Sequence, residues 1–224
     1  MEFKNIFFVL FMCGLTFNNV EMADDKFTVK AETVLALYQT MKDLHEILSQ
    51  GNVSYSIIAG TLLGAVRHKG LIPWDDDLDI IVFEDHEAAF LSLKTMFESN
   101  GYHIRPMSWA PTCRGYKICS NIGHVEADVF LAKIVKDRVD YGLSEYGYYF
   151  LEKDFFPLKK YFFGEMLVMG PHDPYPYLDL CYSKNWFSVA EKSSHSVDGK
   201  ITVILSDADR IPAQPTGPLK PVRL

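Results

Sequence analysis

The sequence predicts an α+β protein, a mixed sheet flanked by helices, on three observations. Residues 31–50 carry Val34, Leu35, Leu37, Tyr38, Met41, Leu44, Ile47 and Leu48 at helical spacing. Two short apolar runs, Ser56–Ala59 and Leu78–Phe83, read as buried core strands on either side of a glycine turn and an acidic corner. Beyond residue 100 the pattern is mostly strand, with Tyr102–Met107, Tyr116–Ser120 and Val125–Leu131 following one another.

The bulk properties bound the function. The chain has 224 residues, one ordinary domain plus extras. A hydrophobic fraction of 48% and an aromatic fraction of 14% suffice for a real core. The net charge of −7 argues against a nucleic-acid partner, which requires a basic face. A local basic cluster is still able to bind a phosphorylated small molecule.

At the N-terminus, Ile6–Phe17 is an apolar run after Lys4. It is short of the roughly 20 residues a membrane span needs and fits the apolar region of a signal peptide. Residues 1–22 are therefore expected to be a signal peptide or an uncleaved anchor, and the protein to be secreted or membrane-associated in a secretory pathway. Asn52-Val53-Ser54 is a glycosylation sequon, which matters only in that setting. Of the cysteines, Cys13 sits in the apolar run. Cys113, Cys119 and Cys181 contain no close pair for zinc. Cys113 and Cys119 are able to pair in an oxidising compartment; buried free thiols are the favoured reading.

The helix over 31–50 ends at Gly51-Asn52. Thr61–His68 reads as a short helix. Glu84 and Asp85 cap a helix over His86–Ser99, with Ala89, Phe90, Leu93, Met96 and Phe97 on its apolar face. Tyr141–Leu151 is glycine-punctuated and reads as a hairpin, and Phe162–Met169 as a further strand pair. Asp173 caps a helix that has Pro174 at its first position and runs to Tyr182. The folded domain is expected over 26–190. Residues 191–224, with Pro212, Pro215, Pro218 and Pro221, are expected to be a partly disordered tail.

The chemistry concentrates in residues 55–83. Asp77 and Asp79 are two apart at the start of a strand, so they share a face with Cα atoms about 6.5 Å apart. Asp75 and Asp76 precede them. Like charges this close cost on the order of 4 kcal/mol per pair at 4 Å. A chain tolerates that cost when the acids are solvated or when a divalent cation lies between them. The apolar residues around them argue against full solvation, and hard carboxylate oxygens suit Mg²⁺ or Mn²⁺ held together with substrate phosphates. Upstream, Gly60 and Thr61 follow a buried strand and open a helix, an arrangement that lets a phosphate approach the backbone. Arg67, His68 and Lys69 add positive charge, expected to contact donor phosphates. Asp128 is an outward acid on a separate, otherwise apolar strand. It is the natural third carboxylate, as a metal ligand or as the base that takes a proton from an attacking hydroxyl. A phosphate cradle beside a metal site is what phosphoryl or nucleotidyl transfer requires. Trp74 reads as a corner core residue in preference to a stacking platform for a base.

Gly60-Thr61-Leu62-Leu63-Gly64-Ala65-Val66-Arg67-His68-Lys69-Gly70, followed by Ile72-Pro73-Trp74-Asp75-Asp76-Asp77-Leu78-Asp79, resembles the signature of the LicD family, which includes phosphocholine transferases and the fukutin-related ribitol-phosphate transferases. Asp154-Phe155-Phe156-Pro157-Leu158 and Tyr177 through Trp186 are similar to its C-terminal half. The resemblance covers roughly residues 35–187. It implies a nucleotidyltransferase-like fold, metal-binding acids at Asp77, Asp79 and Asp128, a CDP-linked donor and a glycan, glycolipid or glycoprotein acceptor. The stretch between Thr61 and Asp77 is long for the wider superfamily but typical of this family. The other readings are a nucleotidyltransferase that adds NMP from an NTP, and a non-catalytic glycan-binding descendant.

Overall fold

The structure is a computed structural model that describes residues 26–107, 112–194 and 197–223. The expected signal or anchor, residues 1–22, lies outside the described residues. Among the described residues no helix is long and apolar enough to cross a membrane.

Helix α1, Ala31–Gln50, carries the predicted apolar stripe into the core, where Leu37, Met41, Leu44, Ile47 and Leu48 are buried. Strand β1, Tyr55–Ile57, leads into helix α2, Ala59–Arg67, which begins earlier than the spacing predicts. Strand β2 occupies the expected Leu78–Phe83. The expected helix over 86–99 is two, α3 (Glu87–Ser92) and α4 (Lys94–Ser99). The break falls at Leu93, whose side chain packs over Gly51 closely enough that a Cβ there would meet a leucine methyl at 2.5 Å. Phe90 and Phe97 are buried on either side of the break.

Strands β3 (Tyr102–Pro106), β4 (Gly115–Ser120) and β5 (Glu126–Val135) follow. The tyrosine-rich stretch links the two strands of a hairpin that begins three residues earlier than expected, β6 (Arg138–Asp140) paired antiparallel with β7 (Phe150–Leu151), and turns at Gly147, whose φ is 90°. Tyr141 and Tyr177 share a hydroxyl–hydroxyl hydrogen bond of 2.9 Å in the core, which fixes the start of that link. A short helix α5, Glu152–Phe155, precedes the predicted hairpin of β8 (Lys159–Phe163) and β9 (Met166–Gly170). Helix α6, Tyr175–Tyr182, starts where the Asp173 carboxylate accepts a hydrogen bond from the Tyr175 N–H at 3.1 Å.

Among the described residues the main sheet has seven strands, with β1-β2-β5-β4-β3 side by side and β6 and β7 extending β5. Strand β2 runs parallel to β5, and the other pairings are antiparallel, so the sheet is mixed. The register places Asp79 opposite Asp128 and Lys117 opposite Asp128.

The segment expected to be a partly disordered tail forms an antiparallel hairpin, β10 (Val189–Ser194) with β11 (Val197–Ile204), and then an extended strap. The strap is tied to distant parts of the chain. Ala213 N–H donates to Leu71 O at 3.0 Å, Lys220 N–H to Gln39 Oε1 at 2.6 Å, and Arg223 N–H to Asn100 Oδ1 at 2.7 Å. Composition does not reveal such ties, because each joins a backbone group to a residue far away in sequence. Cys113, Cys119 and Cys181 are free thiols. Cys113 and Cys119 are separated by extended chain, about 20 Å at the rise of a strand, whereas a disulfide needs Cα atoms within about 7 Å.

Candidate active site

The acids of the central stretch line one cleft of about 1240 Å³. Asp77 and Asp79 reach it from the start of β2, and Glu126, Asp128 and Phe130 from one face of β5. Because β2 and β5 are parallel neighbours in register, Asp79 and Asp128 stand side by side on the same face. Gly60 and Arg67 of α2 form part of the wall, with Trp74 and Asp75 from the corner. Trp186 and the β10–β11 hairpin, through Glu191 and Thr202, also line it.

Crowding sets the electrostatics. The Asp79 carboxyl is held well above the usual carboxylate range, first by burial and then by the charges of Asp77, Asp75 and Asp128, with Lys117 opposing. Asp75 is raised likewise, by burial and by Asp77 and Asp76. Lys117, on β4, lies against this acid face, its ammonium 2.6 Å from Asp128 Oδ1 and 3.0 Å from Glu126 Oε2. Burial alone would lower the Lys117 pKa; the two carboxylates outweigh it and raise it. Glu126 also accepts a hydrogen bond from Arg105 Nη2 at 2.7 Å. Burial opposes its ionisation, and its bonds to Arg105 and Lys117 bring it down to about 2.

The glycine turn lies against the acidic corner. A Cβ on residue 60 would lie 2.6 Å from Asp75 Oδ2, so the group that approaches Gly60 is the Asp75 carboxylate. Thr61 is buried, and its hydroxyl accepts a hydrogen bond from Asp79 N–H at 2.8 Å. It thereby anchors the start of the strand that carries Asp77 and Asp79.

The basic trio separates into three environments, which corrects the expectation that all three meet the donor phosphates. Arg67 does line the cleft, but it is buried and donates to Trp186 O at 2.6 Å and to His68 Nδ1 at 3.3 Å. Burial lowers its pKa to about 10, so it stays charged at neutral pH. His68 is buried away from the cleft, edge-on to Trp74, with Nε2 3.1 Å from Asp209 O. Burial and the Arg67 charge push it down to about 3, so it carries no charge at neutral pH. Lys69, at φ 64°, turns its ammonium to Val66 O at 3.1 Å. The cause is helix geometry: successive residues at a helix end point in different directions.

From the sequence, Asp75 stands only as one of the mutually repelling acids, and Lys117 has no assigned role. Asp75 was visible in the acidic run. Lys117 sits on the face that alternation along its strand assigns to positions 117 and 119, but only the register against β5 brings it to Asp128.

The cleft is thus built from a mixed sheet with acids on parallel neighbouring strands, beside the first turn of a helix. The chain belongs to the LicD/FKTN/FKRP family, whose nucleotidyltransferase-domain model matches residues 52–173. It is 35% identical over 97% of its length to an uncharacterized protein of Rickettsia typhi, 72% of which is covered. It is 37% identical to the lipopolysaccharide cholinephosphotransferase LicD of Haemophilus influenzae over 30% of this chain and 25% of that one. The ribitol 5-phosphate transferase FKRP of Mus musculus is 40% identical over 21% of this chain and 10% of its own.

Proposed function

We propose that this protein is a metal-dependent transferase that moves a phospho-alcohol, of the phosphocholine or ribitol-phosphate type, from a CDP-activated donor to a hydroxyl of a glycan, free or on a lipid or protein. The observation that carries this reading is the crowding of Asp75, Asp77, Asp79 and Asp128 at adjoining strands, with two of the carboxyls held above their usual range. The named relatives that support it are transferases of phosphocholine and of ribitol 5-phosphate.

The residues fit Mg²⁺ or Mn²⁺ by donor chemistry, since a partly desolvated set of carboxylates is stabilised by a hard divalent cation. Asp77 and Asp79 would hold it. Among the described residues no three His, Cys, Asp or Glu side chains are already converged as a ligand cage, so donor phosphates would complete the coordination. When bound, such an ion would offset the charge of the donor diphosphate.

The remaining work falls to the chain. Asp128 is placed to accept the proton of the attacking hydroxyl. The hydroxyl oxygen bonds to the phosphorus that carries the alcohol, the bond from that phosphorus to the bridging oxygen breaks, and CMP leaves with that oxygen. Thr61 holds the Asp79 backbone at the position this requires. Trp186 and the hairpin residues Glu191 and Thr202 line the cleft in which the acceptor would lie.

The test is CMP release from CDP-choline and CDP-ribitol with Mg²⁺ or Mn²⁺ and candidate glycans. Wild type should release CMP with at least one donor, and Asp77→Ala and Asp79→Ala should not. Release unaffected by both substitutions would remove the mechanism.

A further inference from the structure

We propose that Lys117 is a built-in counter-cation for Asp128, so that the metal ion rests on Asp77 and Asp79 and the site works without a second ion on Asp128. The inference rests on the metal-transferase reading above and concerns how that site is built.

Three observations carry it. First, Lys117 and Asp128 are directly opposed in the antiparallel register of β4 and β5, so their side chains share a face. Second, the ammonium is clamped on both sides, at 2.6 Å from Asp128 Oδ1 and 3.0 Å from Glu126 Oε2. Glu126 is itself anchored by Arg105 Nη2 at 2.7 Å and Cys119 Sγ at 3.3 Å. Swinging the lysine off Asp128 therefore means breaking a network. Third, the Lys117 and Asp128 side chains are 21% and 11% exposed, so water screens the pair weakly.

An ion ligated by Asp128 would sit beside a fixed positive charge. A carboxylate oxygen ligates Mg²⁺ at about 2.1 Å. With Nζ 2.6 Å from the same carboxylate, ion and ammonium would stand within about 5 Å and repel strongly in a partly desolvated site. The lysine supplies the neutralising charge without that conflict. An ammonium has three donors, two of which go to these carboxylates, and Lys117 also lines the cleft where a donor phosphate would lie. Lys117 is thus a positioning residue for Asp128.

The test is Mn²⁺ titration of the full chain, followed by electron paramagnetic resonance of the free ion. Asp77→Asn should weaken binding by about tenfold or more, whereas Asp128→Asn should change it by less than about threefold. Lys117→Met frees Asp128 and should add a second equivalent of bound Mn²⁺ or tighten binding about tenfold. Lys117→Arg keeps the charge and should keep the wild-type stoichiometry. The inference is overturned if Asp128→Asn weakens binding as much as Asp77→Asn, or if Lys117→Met leaves stoichiometry and affinity unchanged. Should Lys117→Met fail to fold, the Asp128→Asn and Lys117→Arg titrations decide alone. If Asp77→Asn has no effect, the metal reading of the whole site falls. If Asp77→Asn weakens binding and Asp128→Asn does so equally, only the lysine inference falls.

Discussion

Removing one charge from the acid cluster should make the metal-free protein more stable and inactive. Asp79→Asn conserves shape, and the hydrogen bond that position 79 makes to Thr61 comes from the backbone, so it survives the change. Asp79 and Asp128 are cross-strand neighbours. At the roughly 5 Å spacing of paired strands and an effective dielectric near 20, their repulsion is about 3 kcal/mol. Loss of the weaker attraction to Lys117 offsets part of this, leaving a gain of about 1–3 kcal/mol at neutral pH. For a domain of this size that raises Tm by roughly 2–12 °C. The sign with pH follows from linkage. A carboxyl whose pKa is raised on folding binds more protons folded than unfolded, so wild-type stability falls as pH rises above the ordinary carboxylate range near 4. The Asn variant lacks that loss. Its advantage should therefore be small at pH 4.5 and larger at pH 7.5, in thermal or urea melts with chelator present. An Asn variant that melts at or below wild type at pH 7.5, or whose advantage does not change with pH, would refute the reasoning.

Other substitutions probe the frame around the site. Gly115→Ala would drive a Cβ into the Val129 carbonyl across β4 and β5; a cost of about 1–3 kcal/mol in urea unfolding is expected, with an unchanged midpoint as the contrary result. Arg67→Met leaves the Trp186 carbonyl without its buried donor, which should cost about 1–3 kcal/mol and speed proteolysis beyond residue 186; Arg67→Met and wild type digesting alike would contradict this. Thr61→Val leaves the Asp79 N–H without its acceptor. Stability should drop by about 1–3 kcal/mol and CMP release should fall, while circular dichroism at low temperature stays as in wild type.

Much of this protein was legible in one dimension. Periodicity located α1, because a buried stripe at helical spacing has little else to become. The bounds of β2 were equally plain, since the apolar run starts at Leu78, directly after three consecutive acids. The acids themselves were found because like charges placed that close together are costly unless they have a use. Three-dimensional packing decided the rest. It split one expected helix at Leu93 and turned an expected tail into a hairpin and a strap held by Leu71, Gln39 and Asn100. It also separated Arg67, His68 and Lys69, consecutive in the chain, into a cleft wall, a neutral buried ring and a surface turn. The order of residues specifies which charges exist; strand register and burial choose which of them meet. That is why the pairing of Lys117 with Asp128, two residues on different strands, was open to no reading of spacing alone.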